Sequence, residues 1–170
     1  MLRVRSILHP TDFSDNSAAA LELAGAVARD YGARLVIVHV KPPPVVASGV
    51  MTPEPPDPPE HAAELRRRLD TCGPATPGVP VEHVMLAGDA AAEIVRLATD
   101  EGFDLIVLGT HGRTGLGRLV MGSVAEKVLR WAPCPVLTVK RPVPTAEAEP
   151  EPLAVARLSV AIGLTAGGAR

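Results

Sequence analysis

The sequence predicts a single doubly wound α/β domain built on a five-stranded parallel sheet. Three observations carry that expectation. Short runs rich in β-branched residues alternate with stretches of helical periodicity along the chain. The strand-like runs are nearly continuously apolar, as strands covered on both faces must be. Each pair of runs is separated by enough chain for a right-handed helical crossover, and 170 residues suffice for one domain of this kind.

Taken in order, Arg3–His9 reads as the first strand and Pro10–Ser14 as a turn carrying several candidate helix caps. Leu21, Ala24, Val27, Ala28 and Tyr31 then recur at helical spacing, and Gly32 ends that helix. Arg34–Val40 is the second strand. Residues 42–59 contain eight prolines in eighteen positions, so this stretch reads as a long irregular loop. A second helix is expected from Glu60 to about Leu69, and Thr71–Pro80 as a further loop. Val79–Leu86 is the third strand. Gly88-Asp89 opens a third helix, carried by Ala92, Ile94, Val95, Leu97 and Ala98 and ended by Gly102. Asp104–Gly109 is the fourth strand, Gly122–Trp131 the fourth helix and Pro135–Lys140 the fifth strand. The domain is expected to span 1–141. Beyond it, 142–170 reads as a Pro/Ala/Glu-rich linker and a flexible tail.

Composition narrows the function classes. A net charge of −2 gives no drive toward nucleic acid or an anionic membrane. Aromatic residues are only 2%, too few for base-stacking platforms that bind single strands. No apolar run reaches the length of a membrane span, and the N-terminus lacks an h-region, so a cytoplasmic protein is expected. Cys72 and Cys134 form no CxxC pair, which argues against a disulfide framework or a zinc site. Cys134, between two prolines, reads as a buried structural thiol, and Trp131 as an anchor of the fourth helix to the core. The Arg66–Arg68 run reads as a solvated face beside Glu60 and Glu64. A metal cluster of His9, His39 and His111 is disfavoured, and His111 is a further candidate phosphate contact.

Ligands of doubly wound sheets bind at the carboxyl ends of the strands, where strand order reverses. Three such ends are chemically unusual here: Pro10–Ser14, Val40 onward and Gly109–Ser123. The last, GTHGRTGLGRLVMGS, holds five glycines in fifteen residues. It is neither a Walker A loop nor a GxGxxG fingerprint, since both patterns are absent. Its spacing is Gly109-x2-Gly112-x9-Gly122-Ser123. A phosphate site built from backbone fits it: Gly109 passes close to a ligand, Gly112 turns, Gly122-Ser123 opens a helix, and Arg113 and Arg118 add charge. So does a plain turn followed by a capping box, with Ser123 capping its own helix and Glu126 reaching back. Spacing alone leaves both open.

The segments ILHPTDFSDNS (7–17), LVIVHV (35–40), DLIVLGTHGRTGLGRLVMGSVAEKVLR (104–130) and PCPVLTVK (133–140) together resemble the universal stress protein family over roughly residues 1–141. The resemblance implies an adenine nucleotide alpha hydrolase-like sheet of order 3-2-1-4-5 and a homodimer, often formed through the last strand. The glycine spacing meets in full the G-x2-G-x9-G-[S/T] pattern of the family's ATP-binding branch, which implies ATP, with Mg2+, as the ligand. On that resemblance Asp12 would lie near the ribose or a metal ion, with Pro10 and Thr11 shaping the same wall. Val40 would meet the adenine through its backbone, and Gly109 and Gly112 would approach ribose and phosphates. Gly122, Ser123 and Val124 would hold the phosphates. Asp12 also reads as a cap of the first helix. The function expected is an ATP-binding regulatory protein of the stress response, with at most weak hydrolysis, an adenine nucleotide and an unknown protein as partners, and the 42–59 loop as the responding element. The alternatives are a dimeric interaction module that binds no nucleotide and, less well supported, a slow ATPase or a nucleotidyl transferase. The sequence shows no HxGH after the first strand, no SGGxDS loop and no lysine in the glycine loop.

Overall fold

The computed structural model describes residues 3–42, 59–110 and 121–140. Strand β1 (Ser6–Pro10) starts three residues later than the sequence predicts. The cause is Asp104, whose Oδ2 accepts the N–H groups of Arg5 (2.8 Å) and Ser6 (3.0 Å). That carboxylate is held below the usual Asp range, chiefly by the Arg5 N–H. Helix α1 (Asp15–Tyr31) is capped by Ser14, whose side chain accepts from Ser17 N. At its far end Gly32 adopts φ 64°, a conformation that favours glycine, and Ala33 N donates back to Ala28 O at 2.8 Å.

Strand β2 (Arg34–Lys41) follows, then α2 (Pro59–Asp70), β3 (Val81–Ala87), α3 (Ala90–Asp100), β4 (Leu105–Gly109), α4 (Ser123–Trp131) and β5 (Val136–Val139). β3 and β5 both begin just after a proline, which lacks the N–H a ladder needs; Pro80 O and Pro135 O instead accept from Leu35 and Ile106. All strands are parallel, in the order β3-β2-β1-β4-β5. The expected fold class and strand order are both found. Of the 42–59 loop, residues 43–58 lie outside the described residues, as do residues 111–120 and the 142–170 segment.

Side-chain alternation splits the core into two layers. On one face Leu8, Val36, Val38, Val40 and Leu108 meet Ile94 and Ala98 of α3 and Ala125 and Val128 of α4. On the other, Ile7, Leu35, Ile37 and Val107 meet Leu21, Ala24 and Ala28 of α1 and Leu69 of α2. The expected core anchor Trp131 is corrected, and Tyr31, the last of the helically spaced positions of α1, is exposed with it. Tyr31 is 52% exposed and Trp131 is 55% exposed. Each is the last residue of its helix, where the covering sheet has ended. Cys134 is half-buried rather than buried, and burial pushes its thiol up to about 11.

Candidate functional site

β1 ends at Pro10, and the chain must reverse within four residues to enter α1. Thr11 organises that turn. Its N–H extends the ladder to Val38 O (2.8 Å), its carbonyl accepts from His39 Nδ1 (2.8 Å), and its Oγ1 accepts from Phe13 N (3.1 Å) and Ser17 Oγ (2.8 Å). Asp12 Oδ1 accepts from Ser14 N (3.1 Å) and Ser14 Oγ (2.6 Å). Asp12 therefore orients the capping residue, and Ser14 itself is the cap. Phe13 has φ 62°, a left-handed conformation that costs a bulky residue on the order of 1 kcal/mol.

His9 lies beneath this turn, fully buried. Its Nδ1 donates to Val107 O at 2.9 Å, which places the proton on Nδ1 and leaves Nε2 as an acceptor 3.4 Å from Ser17 Oγ. Burial lowers its pKa to about 4, so the ring is neutral at physiological pH. His9 and His39 are thus core histidines, each tied through Nδ1 to a backbone carbonyl. Among the described residues no cluster of His, Cys, Asp and Glu is suited to a metal ion.

The carboxyl ends of β1, β2 and β4 and the first turns of α3 and α4 enclose a cleft of about 170 Å³. A cavity near 150 Å³ admits benzene, so a planar ring fits. Val38, Val40, Ile94 and Leu108 give it an apolar wall, and Thr11, Asp12, Thr110 and Ser123 a polar one. Within β2, residues alternate in the strand they face. Val38 O bonds Thr11 on the β1 side, and Lys41 O bonds Gly88 N on the β3 side. The Val40 N–H and C=O therefore point past the end of β1, along the cleft.

α4 begins at Gly122 without any side-chain cap. Of the two readings left open by spacing, the capping box is not formed: Gly122, not Ser123, is the cap residue, and Glu126 binds Arg130 at 3.3 Å instead of reaching back. First-turn N–H groups have no partner within a helix, and the residues that carry them here, Ser123, Val124 and Ala125, line the cleft. Ser123→Ala should consequently change stability by less than about 0.5 kcal/mol in urea unfolding, whereas Ser14→Ala should cost about 1 kcal/mol. The loop that precedes α4 is pinned at its root, because Gly122 N donates to Thr110 O at 2.7 Å and Thr110 N to Val139 O at 3.0 Å.

Eight of the ten sequence-predicted site residues line this cleft: Pro10, Thr11, Asp12, Val40, Gly109, Gly122, Ser123 and Val124. Gly112 and Arg113 lie outside the described residues, as do Arg118 and His111. Gly109 has a second reason to be glycine. A Cβ there would meet Asn16 C at 2.9 Å and Asn16 O at 3.0 Å, so β4 and the start of α1 pass each other too closely for a side chain. Sequence reasoning missed Ile94 and Ala90, which reach the cleft from α3. Their i, i+4 spacing marks one helix face, but nothing in it says which part of that face overhangs the strand ends.

The universal stress protein family model matches residues 3–140. A Thermus aquaticus relative, described as a universal stress protein in the QAH/OAS sulfhydrylase 3' region, is 37% identical over 143 residues, covering 80% of this chain and 98% of the relative. Universal stress protein UspA from Lactobacillus plantarum superposes with a TM-score of 0.61 at 26% identity, over 80% of this chain and 97% of that one. A universal stress protein solved in complex with cAMP superposes with a TM-score of 0.54 at 25% identity, over 81% of this chain and 97% of that one. A parallel sheet of this order covered by helices on both faces, with its cleft at the strand ends and this extent of identity, places the chain in the universal stress protein family.

Proposed function

We propose that this protein is an ATP-binding regulatory protein of the stress response. The observation that carries the proposal is one cleft lined both by apolar side chains and by the uncapped first turn of a helix. The apolar lining, Val40 and Ile94 included, suits a base, which the Val40 backbone can read by hydrogen bonds. The uncapped first turn of α4 suits phosphate. The complex of a related protein with cAMP supports an adenine nucleotide as the ligand class. Gly112 completes the glycine pattern in sequence and Arg113 adds charge beside it, and we assign both to the phosphates.

Asp12 is the one carboxylate among the described cleft residues. That fits Mg2+ bound through the nucleotide, since Mg2+ commonly takes one or two carboxylates and completes its shell with phosphate and water. We assign residues 1–141 as the working domain, acting in the cytoplasm as a homodimer that pairs through β5, one of the two edge strands of the sheet. Nucleotide occupancy acts as a signal by favouring one arrangement of the residues around the cleft.

A thermal unfolding series tests the ligand class. A nucleotide present at a hundred times its Kd should stabilise the protein by about 2.7 kcal/mol. Mg–ATP should raise Tm in this way, whereas inorganic phosphate at equal concentration should not. No shift with ATP, ADP, AMP or cAMP at millimolar concentration would contradict the proposal.

A further inference from the structure

Arg68 departs from the rest of its basic run. Arg66 pairs with Asp70 at 3.0 Å and Arg67 with Glu64 at 2.7 Å, both along the surface of α2. Arg68 instead crosses to the turn after β1. Its guanidinium carbon lies 4.6 Å from the centre of the Phe13 ring, and its Nη2 donates to Phe13 O at 3.3 Å. Like its two neighbours Arg68 is exposed, as expected of the run, and it makes this contact from the surface.

Phe13 is the only non-glycine residue with positive φ among the described residues, and it directly follows Asp12. A bulky residue stays in that conformation only where its surroundings over-determine it. Two of the restraints are local to the sheet and turn: the Phe13 N–H on Thr11 Oγ1, and the His39 ring with its centroid 4.6 Å from that of Phe13. The third is Arg68, which grips both the ring and the carbonyl from another element. Asp12 and Ser14 sit on either side of the gripped residue and are bonded to each other. Movement at Phe13 therefore displaces the Asp12 carboxylate.

Resting on the nucleotide-binding reading above, we infer that Arg68 is a positioning residue for the site. By holding Phe13 it fixes the 11–14 turn so that Asp12 faces a phosphate-bound divalent cation. Arg68 touches no ligand itself. Its removal should weaken the metal-dependent part of nucleotide affinity and leave the metal-free part intact.

The test compares the native protein with Arg68→Met, which keeps a long apolar stem, and with Arg68→Lys, which keeps the cation over the ring but not the fork. Two readouts are taken. Without nucleotide, hydrogen exchange is followed at the Phe13 and Ser14 amides, whose partners are the Thr11 and Asp12 side chains. Arg68→Met should speed both by about fivefold, with partial recovery in Arg68→Lys. With nucleotide, ATP affinity is measured in Mg2+ and in EDTA. Arg68→Met should lose about fivefold in Mg2+ and less than twofold in EDTA. Unchanged exchange at Phe13 and Ser14 overturns the inference, and so does an equal loss in both media, which marks a merely structural effect. If the native protein binds no ATP in either medium, the nucleotide reading fails first and the role of Arg68 at that site falls with it. Native binding with an unaffected variant refutes the role of Arg68 alone.

Discussion

Gly109→Ala should destabilise the protein by about 3 kcal/mol, a large effect for one methyl group. The added Cβ would lie 2.9 Å from Asn16 C and 3.0 Å from Asn16 O, inside any normal contact distance. Those atoms belong to the backbone of α1, whose first turn is fixed by the Ser14 cap and by Ser17 Oγ on Thr11. Neither side can yield by a rotamer change. α1 must lift from β4, or β4 must shift against β5, where Gly109 is paired with Val139. Both movements open the core layer that holds Val107 and Leu21. Urea unfolding of the variant should show a lower midpoint with an unchanged slope. A stability within about 0.5 kcal/mol of the native value would mean that the two elements are not packed as closely as described.

The second large effect is on pH dependence. His9 is buried and its pKa falls to about 4, whereas an exposed histidine titrates near 6.5. The unfolded chain therefore takes up a proton that the folded chain refuses between those values. Stability is full above about pH 6.5 and declines as pH falls toward 4. The loss attributable to His9 over that window is about 3 kcal/mol, with a slope approaching 1.4 kcal/mol per pH unit. Below that window Asp104, held under the ordinary Asp range by the Arg5 N–H, adds its own acid loss. Urea unfolding of the native protein and of His9→Gln, at pH 7.0, 5.5 and 4.5, isolates the His9 part, since all three values lie above the range in which Asp104 titrates. The variant should start less stable, because Val107 O and the core lose a fitted partner. Its stability should also fall less steeply with acid. Parallel slopes in the two proteins would assign the acid sensitivity elsewhere.

Much of the fold was legible because each strand is flanked by residues with one physical role. Gly32 and Gly102 lie where left-handed backbone closes a helix, at φ 64° and 62°. Asp89 and Ser14 accept first-turn N–H groups from their side chains. Strand ends were less legible, since they depend on distant partners. Nothing local to Arg3–Arg5 announces that the Asp104 carboxylate will take over the start of β1.

The candidate site was legible for a different reason. Ligands of such sheets meet strand ends, so three stretches, Pro10–Ser14, Val40 onward and Gly109–Ser123, could be gathered from the sequence, and the family resemblance picked out Pro10, Thr11, Asp12 and Val40 within them. What the pattern hid was why individual residues are there. Gly109 answers to Asn16 as well as to the cleft. Ser123 has the spacing of a capping box, yet Glu126 finds Arg130 one turn on. A local motif states which bonds are available, and packing decides which are made. The Phe13–Arg68 contact joins residues 55 apart and leaves no periodic trace at all.

The most direct test of nucleotide binding is calorimetric titration of Mg–ATP into the native protein and into Gly122→Val. Gly122 has φ −61° and ψ 146°, open to any L residue, so valine is tolerated by the backbone. Gly122 lines the cleft beside the first turn of α4, where the phosphates are assigned, so a branched side chain there is expected to crowd them. Binding by the native protein, abolished in a variant whose circular dichroism and Tm are unchanged, is the predicted result. Equal affinity in the two proteins would place the nucleotide away from the α4 N-terminus, and no heat from native protein verified free of co-purified nucleotide would contradict ATP binding itself.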